Sequence, residues 1–340
     1  MQSAMQTVSA QRLEAPEAAR LYVLTAIALH DGYMIAQGKT GYLSQIESAE
    51  NLPPNAVMRA AVMAILQAKN TKGETEKTRS KAESLGALIT SDITARLPKP
   101  AAQNFTPTGD WHPPAGQAPV LPQWRYAKPL TLSAPAQFRP QGPPAKDSPA
   151  YAVMVDEVRF LGEDVSDARS AEASVSARFW KAPAGTPTPP GQWNRIAMQT
   201  GQDLDTEAKL ARLLALNIAL YDVGIAAWDS KYAFQFARPD AIIEDWTAMG
   251  DTPAHPEYVS GHSAFSGAAA AVLTAFDGEA PFCTVNPDAF NIRRCYANYN
   301  AAATEAGRSR IYGGIHFTPS NTDGLKLGRD VAKHVLKTLP

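Results

Sequence analysis

Three short segments in the last third of the chain gather the side chains that could bind, and do chemistry on, one small and highly charged oxyanion. The first reads Trp228-Asp-Ser-Lys231-Tyr-Ala-Phe-Gln-Phe-Ala-Arg238-Pro239. Lys231 and Arg238 are nearly two helical turns apart, so a helix continuing to Arg238 would point both cations to one side before Pro239 stops it. The second reads His255-Pro-Glu-Tyr-Val-Ser260-Gly261-His262, followed by an Ala-rich apolar run. A polar turn feeding such a helix brings free backbone N–H groups, the positive helix end and a hydroxyl to one point, which suits an anion. Gly261 lets the anion approach the backbone, and His262 stands where it can move protons. The third reads Arg308-Ser309-Arg310-Ile-Tyr-Gly-Gly-Ile-His316-Phe. Arg310 offers a planar fork for two oxygens, and Gly313-Gly314 permits a close approach or a bend before His316.

Taken singly, each segment has a plain structural explanation: a solvated helix face, a serine cap followed by a surface histidine, a histidine near a glycine-rich bend. Together and in order, Lys-x6-Arg-Pro, Ser-Gly-His and Ser-Arg-x5-His resemble the signature of the type 2 phosphatidic acid phosphatase and vanadium-dependent haloperoxidase superfamily. Ser166-Asp-Ala-Arg-Ser, Ala177-Arg-Phe-Trp180, Ala227-Trp-Asp-Ser-Lys231, Phe265-Ser-Gly-Ala-Ala-Ala-Ala-Val and Ser309-Arg-Ile-Tyr-Gly-Gly-Ile-His-Phe are similar to its soluble bacterial haloperoxidase-like branch. This resemblance covers roughly residues 145–340, whereas the first hundred match only as a generic helical half.

The resemblance implies a helical-bundle fold and a site for vanadate, or for phosphate in the same place. Lys231, Arg238, Ser260, the Gly261 backbone and Arg310 would bind the equatorial oxygens, His316 would be the apical group and vanadium ligand, and His262 the acid and base. Lys231 would also polarise bound peroxide. A haloperoxidase would use hydrogen peroxide and a halide to make hypohalous acid, with a small organic acceptor possible. An acid phosphatase would hydrolyse a phosphate ester through a phosphohistidine at His316, and an inactive oxyanion binder is the third alternative. These residues suit both reactions, because vanadate on a histidine has the trigonal-bipyramidal shape through which a phosphoryl group passes. Trp228 and His255 occupy positions similar to those lining the vanadate pocket of haloperoxidases. The chain departs from the family at Val259, usually Pro; at Ala237, often aromatic; at Arg308, often Asp; and at Ser320, where an Asp usually holds the apical histidine. Asn321, Asp323 or a more distant carboxylate is expected to take over that last task.

The elements that position these groups read as all-α. Helices are expected from Pro16 through Ala28, from Pro53-Pro54 toward Leu66, over Thr78–Leu97, Tyr151–Leu161, Ser166–Trp180 and Leu204–Tyr232, and then over Gly261–Phe276, Ala289–Ala306 and Asp323–Leu336. Thirteen of the 27 prolines fall between Pro98 and Pro149 and four more between Pro183 and Pro190, spacings through which no helix can run. The first span also contains Trp111, Trp124, Tyr126 and Phe138, which argues for an ordered wrap over the helices, with Trp111, Trp124 and Tyr126 filling the space beneath it. The expected organisation is an N-terminal helical half over 1–100, the wrap over 101–149 and a catalytic helical half over 150–340. Asp222 and Asp229 could be mistaken for metal ligands, but Asp229 is better matched to a nearby arginine. Glu305 and Arg308 read as surface charge, and His30, His112 and His334 as isolated histidines.

Composition sets the outer limits. At 340 residues, 45% hydrophobic and 19% charged with a net charge of -1, the chain is globular and carries no broad basic field for nucleic acid. The apolar stretches Leu213–Ala227 and Ala268–Phe276 fall short of the ~20 residues of a membrane span. The first residues lack the basic and apolar regions of an export signal, so the chain reads as soluble, either cytoplasmic or exported with a signal removed. Cys283 and Cys295 can form at most one bridge, and whether they do, like the oligomeric state, stays open.

Overall fold

The computed structural model describes residues 1–48, 52–67 and 76–339. Its chain divides into two compact units, Met1–Lys99 with Ala184–Asn217, and Pro100–Pro183 with Ile218–Pro340. Helix dominates both, and the strands among the described residues form a single two-stranded hairpin.

The first unit holds α1 (Gln2–Ala10), α2 (Ala15–Ala36), α3 (Pro54–Ile65), α4 (Glu76–Arg96), α7 (Thr188–Thr200) and the first part of α8 (Thr206–Phe234). Helix α2 starts with Pro16 in its first turn, where a missing N–H costs nothing, and buries Tyr22, Val23, Leu24 and Ile27. The proline rule also explains a correction at α7. Four prolines between 183 and 190 argue against helix, yet Pro189 and Pro190 sit in the opening turn, which accepts them. Asn194 on α7 and Asn217 on α8 exchange amide hydrogen bonds of 2.8 and 2.9 Å, satisfying both in the interior. Asp31, fully buried, accepts the backbone N–H groups of Tyr42, Leu43 and Ser44 and so shapes the loop after α2.

The second unit contains α5 (Pro149–Leu161), α6 (Ala171–Phe179), the rest of α8, α9 (Gly261–Asp277), the hairpin β1 (Phe282–Asn286) and β2 (Ile292–Tyr296), α10 (Tyr299–Tyr312) and α11 (Thr318–Thr338). Helix α6 begins five residues later than the sequence suggests. Ser170 caps it by accepting from Ala173, while Ser166 bonds to Phe160 and Arg169 in the bend before it. The expected helix from Ala289 is replaced by an antiparallel hairpin pairing Cys283 with Cys295, and these two cysteines are joined in a disulfide. Only from Tyr299, capped by Asn298, does the chain turn helical. Helices α9 and α11 approach until backbone meets backbone: a Cβ on Gly267 would strike Leu325, and one on Gly328 would strike Ala264.

The proline-rich span is ordered and tied to α8 by carboxylates. Asp222 accepts the backbone N–H groups of Leu130 and Thr131 and the Thr131 hydroxyl at 2.6–2.8 Å, and Asp229 accepts from Nε and Nη2 along one edge of the Arg139 guanidinium at 2.6 and 2.8 Å. Both are therefore anchors for the wrap. Trp111 and Trp124 are buried as expected, whereas Tyr126 is exposed because it ends the short 3-10 turn Pro122–Tyr126 on its outer side. Helix α8 is long and apolar enough to cross a membrane, but most of that surface is buried inside the protein.

Candidate oxyanion site

All three motif segments converge within the second unit. Lys231 leaves the last turn of α8 fully buried, and its ammonium donates to the carbonyls of Pro256 and Glu257 at 2.8 and 3.0 Å. The helix does not continue to Arg238: α8 ends at Phe234, and Arg238 lies in extended backbone before Pro239. The cations meet all the same, because Arg238 reaches the same loop from the other side. Its guanidinium donates to the His255 and Ile315 carbonyls at 3.1 and 2.6 Å and lies 3.3 Å from His316 Nε2.

Ser260 is the N-cap of α9, its hydroxyl oxygen accepting the Ser263 N–H at 3.3 Å. A capping hydroxyl still has its own proton to donate, and the first amides of the helix, at Gly261 and His262, have no partners along the helix. A Cβ built on Gly261 would meet only the Trp228 ring, at 3.7 Å, so open space faces this helix end. The His262 ring is half-buried, with Nε2 3.3 Å from the Lys181 carbonyl. Arg310, near the end of α10, is fixed by Ser309 Oγ at 3.1 Å and by the Ala177 carbonyl at 2.8 Å. Gly314 follows with φ +73° and packs against Gly162 where no side chain would fit, which accounts for the second of the two glycines. His255 packs against Trp228 with ring centres 5.0 Å apart and the planes tilted by 49°.

The carboxylate that holds His316 is Glu257. Its Oε1 lies 2.8 Å from His316 Nδ1 and also accepts the Phe317 N–H at 3.0 Å, while Ser320 Oγ stays 3.4 Å from Nδ1. Neither neighbour in sequence does this work: Asp323 accepts from the Tyr258 hydroxyl at 2.7 Å, and Asn321 from Ser263 Oγ at 2.8 Å. Sequence reasoning passed over Glu257 although it stands two residues after His255, because nothing local ties it to a histidine 59 positions away. Arg308, another of the departures and expected as surface charge, instead pairs with Glu157 on α5 and bonds Thr318 at the start of α11.

Comparison with known proteins extends these observations. Residues 243–339 match the family described as the VCPO second helical-bundle domain. A bacterial vanadium-dependent iodoperoxidase superposes with a TM-score of 0.85 at 24% identity, covering 100% of this chain and 95% of that one. An apo bacterial vanadium-dependent chloroperoxidase superposes at 0.74 and 18% identity, covering 95% and 93%, and a holo form at 0.71 and 17%, covering 97% and 91%. The chain has the vanadium haloperoxidase fold. No curated protein matches it by sequence comparison. At the level of fold the motif resemblance therefore holds.

Within this fold the candidate site gathers three cations, three imidazoles and one carboxylate. Lys231, Arg238 and Arg310 are nearly inaccessible to solvent. Burial, then the Arg238 charge, pulls the Lys231 ammonium well below its usual range despite Glu257, and burial brings both guanidinium groups to about 10. Glu257 is pushed up to about 7 by burial, against the pull of Arg238 and the Phe317 N–H. The three imidazoles, His255, His262 and His316, are held well below the ordinary histidine value by burial and by these same cations. One carboxylate among three buried cations leaves positive charge that a bound oxyanion would neutralise. With Glu257 accepting from Nδ1–H, His316 presents the Nε2 lone pair on the side of Arg238.

Proposed function

We propose that this chain is a vanadium-dependent haloperoxidase that oxidises halide with hydrogen peroxide to hypohalous acid. The observation that carries it is the convergence of Lys231, Arg238, Arg310 and a Glu257-held His316 around the open end of α9, in a haloperoxidase fold. The donor set fits vanadate: two arginine forks, an ammonium, a hydroxyl and helix-end amides for oxygens, and a neutral imidazole nitrogen for the metal. Lys231, Arg238, Ser260, the Gly261 N–H and Arg310 would hold the oxygens, and His316 Nε2 would be the ligand.

When bound, vanadate supplies a Lewis-acidic centre that activates peroxide without changing its own oxidation state. The rest falls to this chain. Peroxide, halide and one proton become hypohalous acid and water, so a group must take a proton from the incoming peroxide and deliver protons to the departing oxygen. His262 suits that task, since it is half-buried, kept neutral and oriented by the Lys181 carbonyl. Lys231 is aimed into the site by two carbonyls and can polarise the bound peroxide. The adjoining rings of Trp228 and His255 would give the pocket an aromatic wall for a polarisable halide. Finding a carboxylate on His316 also removes the main argument for an inactive oxyanion binder.

The test is purified protein with orthovanadate, hydrogen peroxide and iodide or bromide, read by halogenation of a dye, beside hydrolysis of a chromogenic phosphate ester. Halogenation that depends on vanadate is the expected result. Ester hydrolysis inhibited by vanadate, with no halogenation, would make the protein a phosphatase instead.

A further inference from the structure

Beside the oxyanion site lies a second carboxylate, Glu305 of α10, at the centre of a polar network. Sequence alone assigns Glu305 to surface charge. The structure instead shows it accepting hydrogen bonds from the Trp180 indole N–H at 3.0 Å and the Tyr296 hydroxyl at 2.9 Å, and pairing with Arg294 at 2.7 Å. Arg294 and Tyr296 flank Cys295, whose bridge to Cys283 closes the β1–β2 hairpin. From the other strand, Asn286 donates its side-chain amide to the Phe179 carbonyl at 2.6 Å. Phe179 and Trp180, at the end of α6 and almost wholly buried, are thus gripped from both α10 and the hairpin.

The same short stretch holds two groups of the oxyanion site. The Ala177 carbonyl accepts from Arg310, and the Lys181 carbonyl receives His262 Nε2. Ala177 lies in the last turn of a nine-residue helix, where carbonyls lack partners within the helix and ends fray unless tied down. A carbonyl can direct a guanidinium or an imidazole only as well as it is itself fixed.

We propose that Glu305 is a positioning residue for Arg310 and His262, acting through Trp180, with the disulfide-closed hairpin as its rigid support. The proposal rests on the oxyanion-site reading above. It makes a buried network that touches neither anion nor substrate a determinant of how tightly the anion is held and how fast it is used.

The test compares the full-length wild type with Glu305→Ala, Glu305→Gln and Glu172→Ala. Binding of inorganic phosphate and of orthovanadate is measured by titration calorimetry, alongside kcat, KM for peroxide and melting temperature. Glu305→Ala should weaken binding of both anions about tenfold or more and lower kcat further than it changes KM. Glu305→Gln keeps an acceptor for Trp180 and Tyr296 and should recover most of that loss. Glu172→Ala removes only the exposed partner of Arg294 and should leave anion binding unchanged. If Glu305→Ala fails to fold, Trp180→Phe, which deletes the indole bond and keeps a smaller aromatic ring in its place, should weaken phosphate binding in the same way. A lower melting temperature with wild-type phosphate affinity in the Glu305→Ala or Trp180→Phe variant would show that the network serves the fold alone and overturn the proposal. A wild type that binds neither anion would instead bring down the oxyanion reading, and this proposal with it.

Discussion

Glu257 performs three tasks from one position: its carboxylate takes His316 Nδ1 and the Phe317 N–H, and its carbonyl takes the Lys231 ammonium. Removing the carboxylate should therefore disturb the tautomer and the basicity of His316 together. Glu257→Gln is expected to weaken orthovanadate binding about 10–100-fold, the usual loss when a ligand's hydrogen-bonding partner is changed. Adding Ser320→Asp to Glu257→Ala should restore part of it, since Ser320 already stands 3.4 Å from the same nitrogen; calorimetric titration of the double variant against Glu257→Ala decides this, and no recovery would mean that Glu257 matters through its loop and not through His316. His316→Ala should abolish vanadate-dependent turnover. His262→Ala should cut turnover with little loss of anion affinity, and Arg310→Ala should cost the most affinity, so that turnover and binding measured side by side separate the three roles. Near-normal turnover in His316→Ala would refute the assignment.

Helix α8 carries the site's first cation at its end and holds the proline-rich segment along its side. Asp222 is buried with its carboxyl pushed above the usual range by that burial, and its cluster of backbone donors opposes the shift. Asp222→Ala would leave those N–H groups without their acceptor and should cost about 2–4 kcal/mol in urea denaturation. Asp229→Ala should cost less, about 1 kcal/mol, because its partner Arg139 keeps a third of its side chain in water. Equal losses would mean that the wrap is held by its buried tryptophans and not by these carboxylates. The helix stretches were legible where apolar spacing and caps agree, as in α2, α8 and α9. The hairpin was not, because a disulfide and pairing between Phe282 and Tyr296 outweigh the local helical tendency of Ala289 and its neighbours.

The whole molecule carries the cost of gathering positive and titratable groups in one interior. His255, His262 and His316 are held neutral in the fold but gain protons below about 6.5 once unfolded, so each contributes stability that is present above that value and lost as pH falls. Glu257, raised to about 7, works in the opposite direction between its unfolded value and 7. Three groups lowered against one raised leave the histidine direction dominant. Denaturation in anion-free buffer from pH 7 to 5 should therefore show stability falling, and a flat or rising profile would contradict the buried neutral imidazoles. Phosphate or orthovanadate at about a hundred times its dissociation constant should add about 2.7 kcal/mol to folding stability at pH 7.

Residue order nominated Lys231, Arg238, Ser260, Gly261, His262, Arg310 and His316 as the candidate oxyanion-site groups, because they stand together in three motifs whose order and spacing carry the family resemblance. Tertiary structure alone decided who supports them: Glu257 on His316, Ala177 and Lys181 on Arg310 and His262, Glu305 and the hairpin behind those, and Asp222 and Asp229 under the wrap. These partners come from distant parts of the chain, brought together by burial. A carboxylate or a carbonyl announces nothing in sequence about which buried donor it will meet, since that pairing is settled only when packing removes water and every polar group left inside must find its partner.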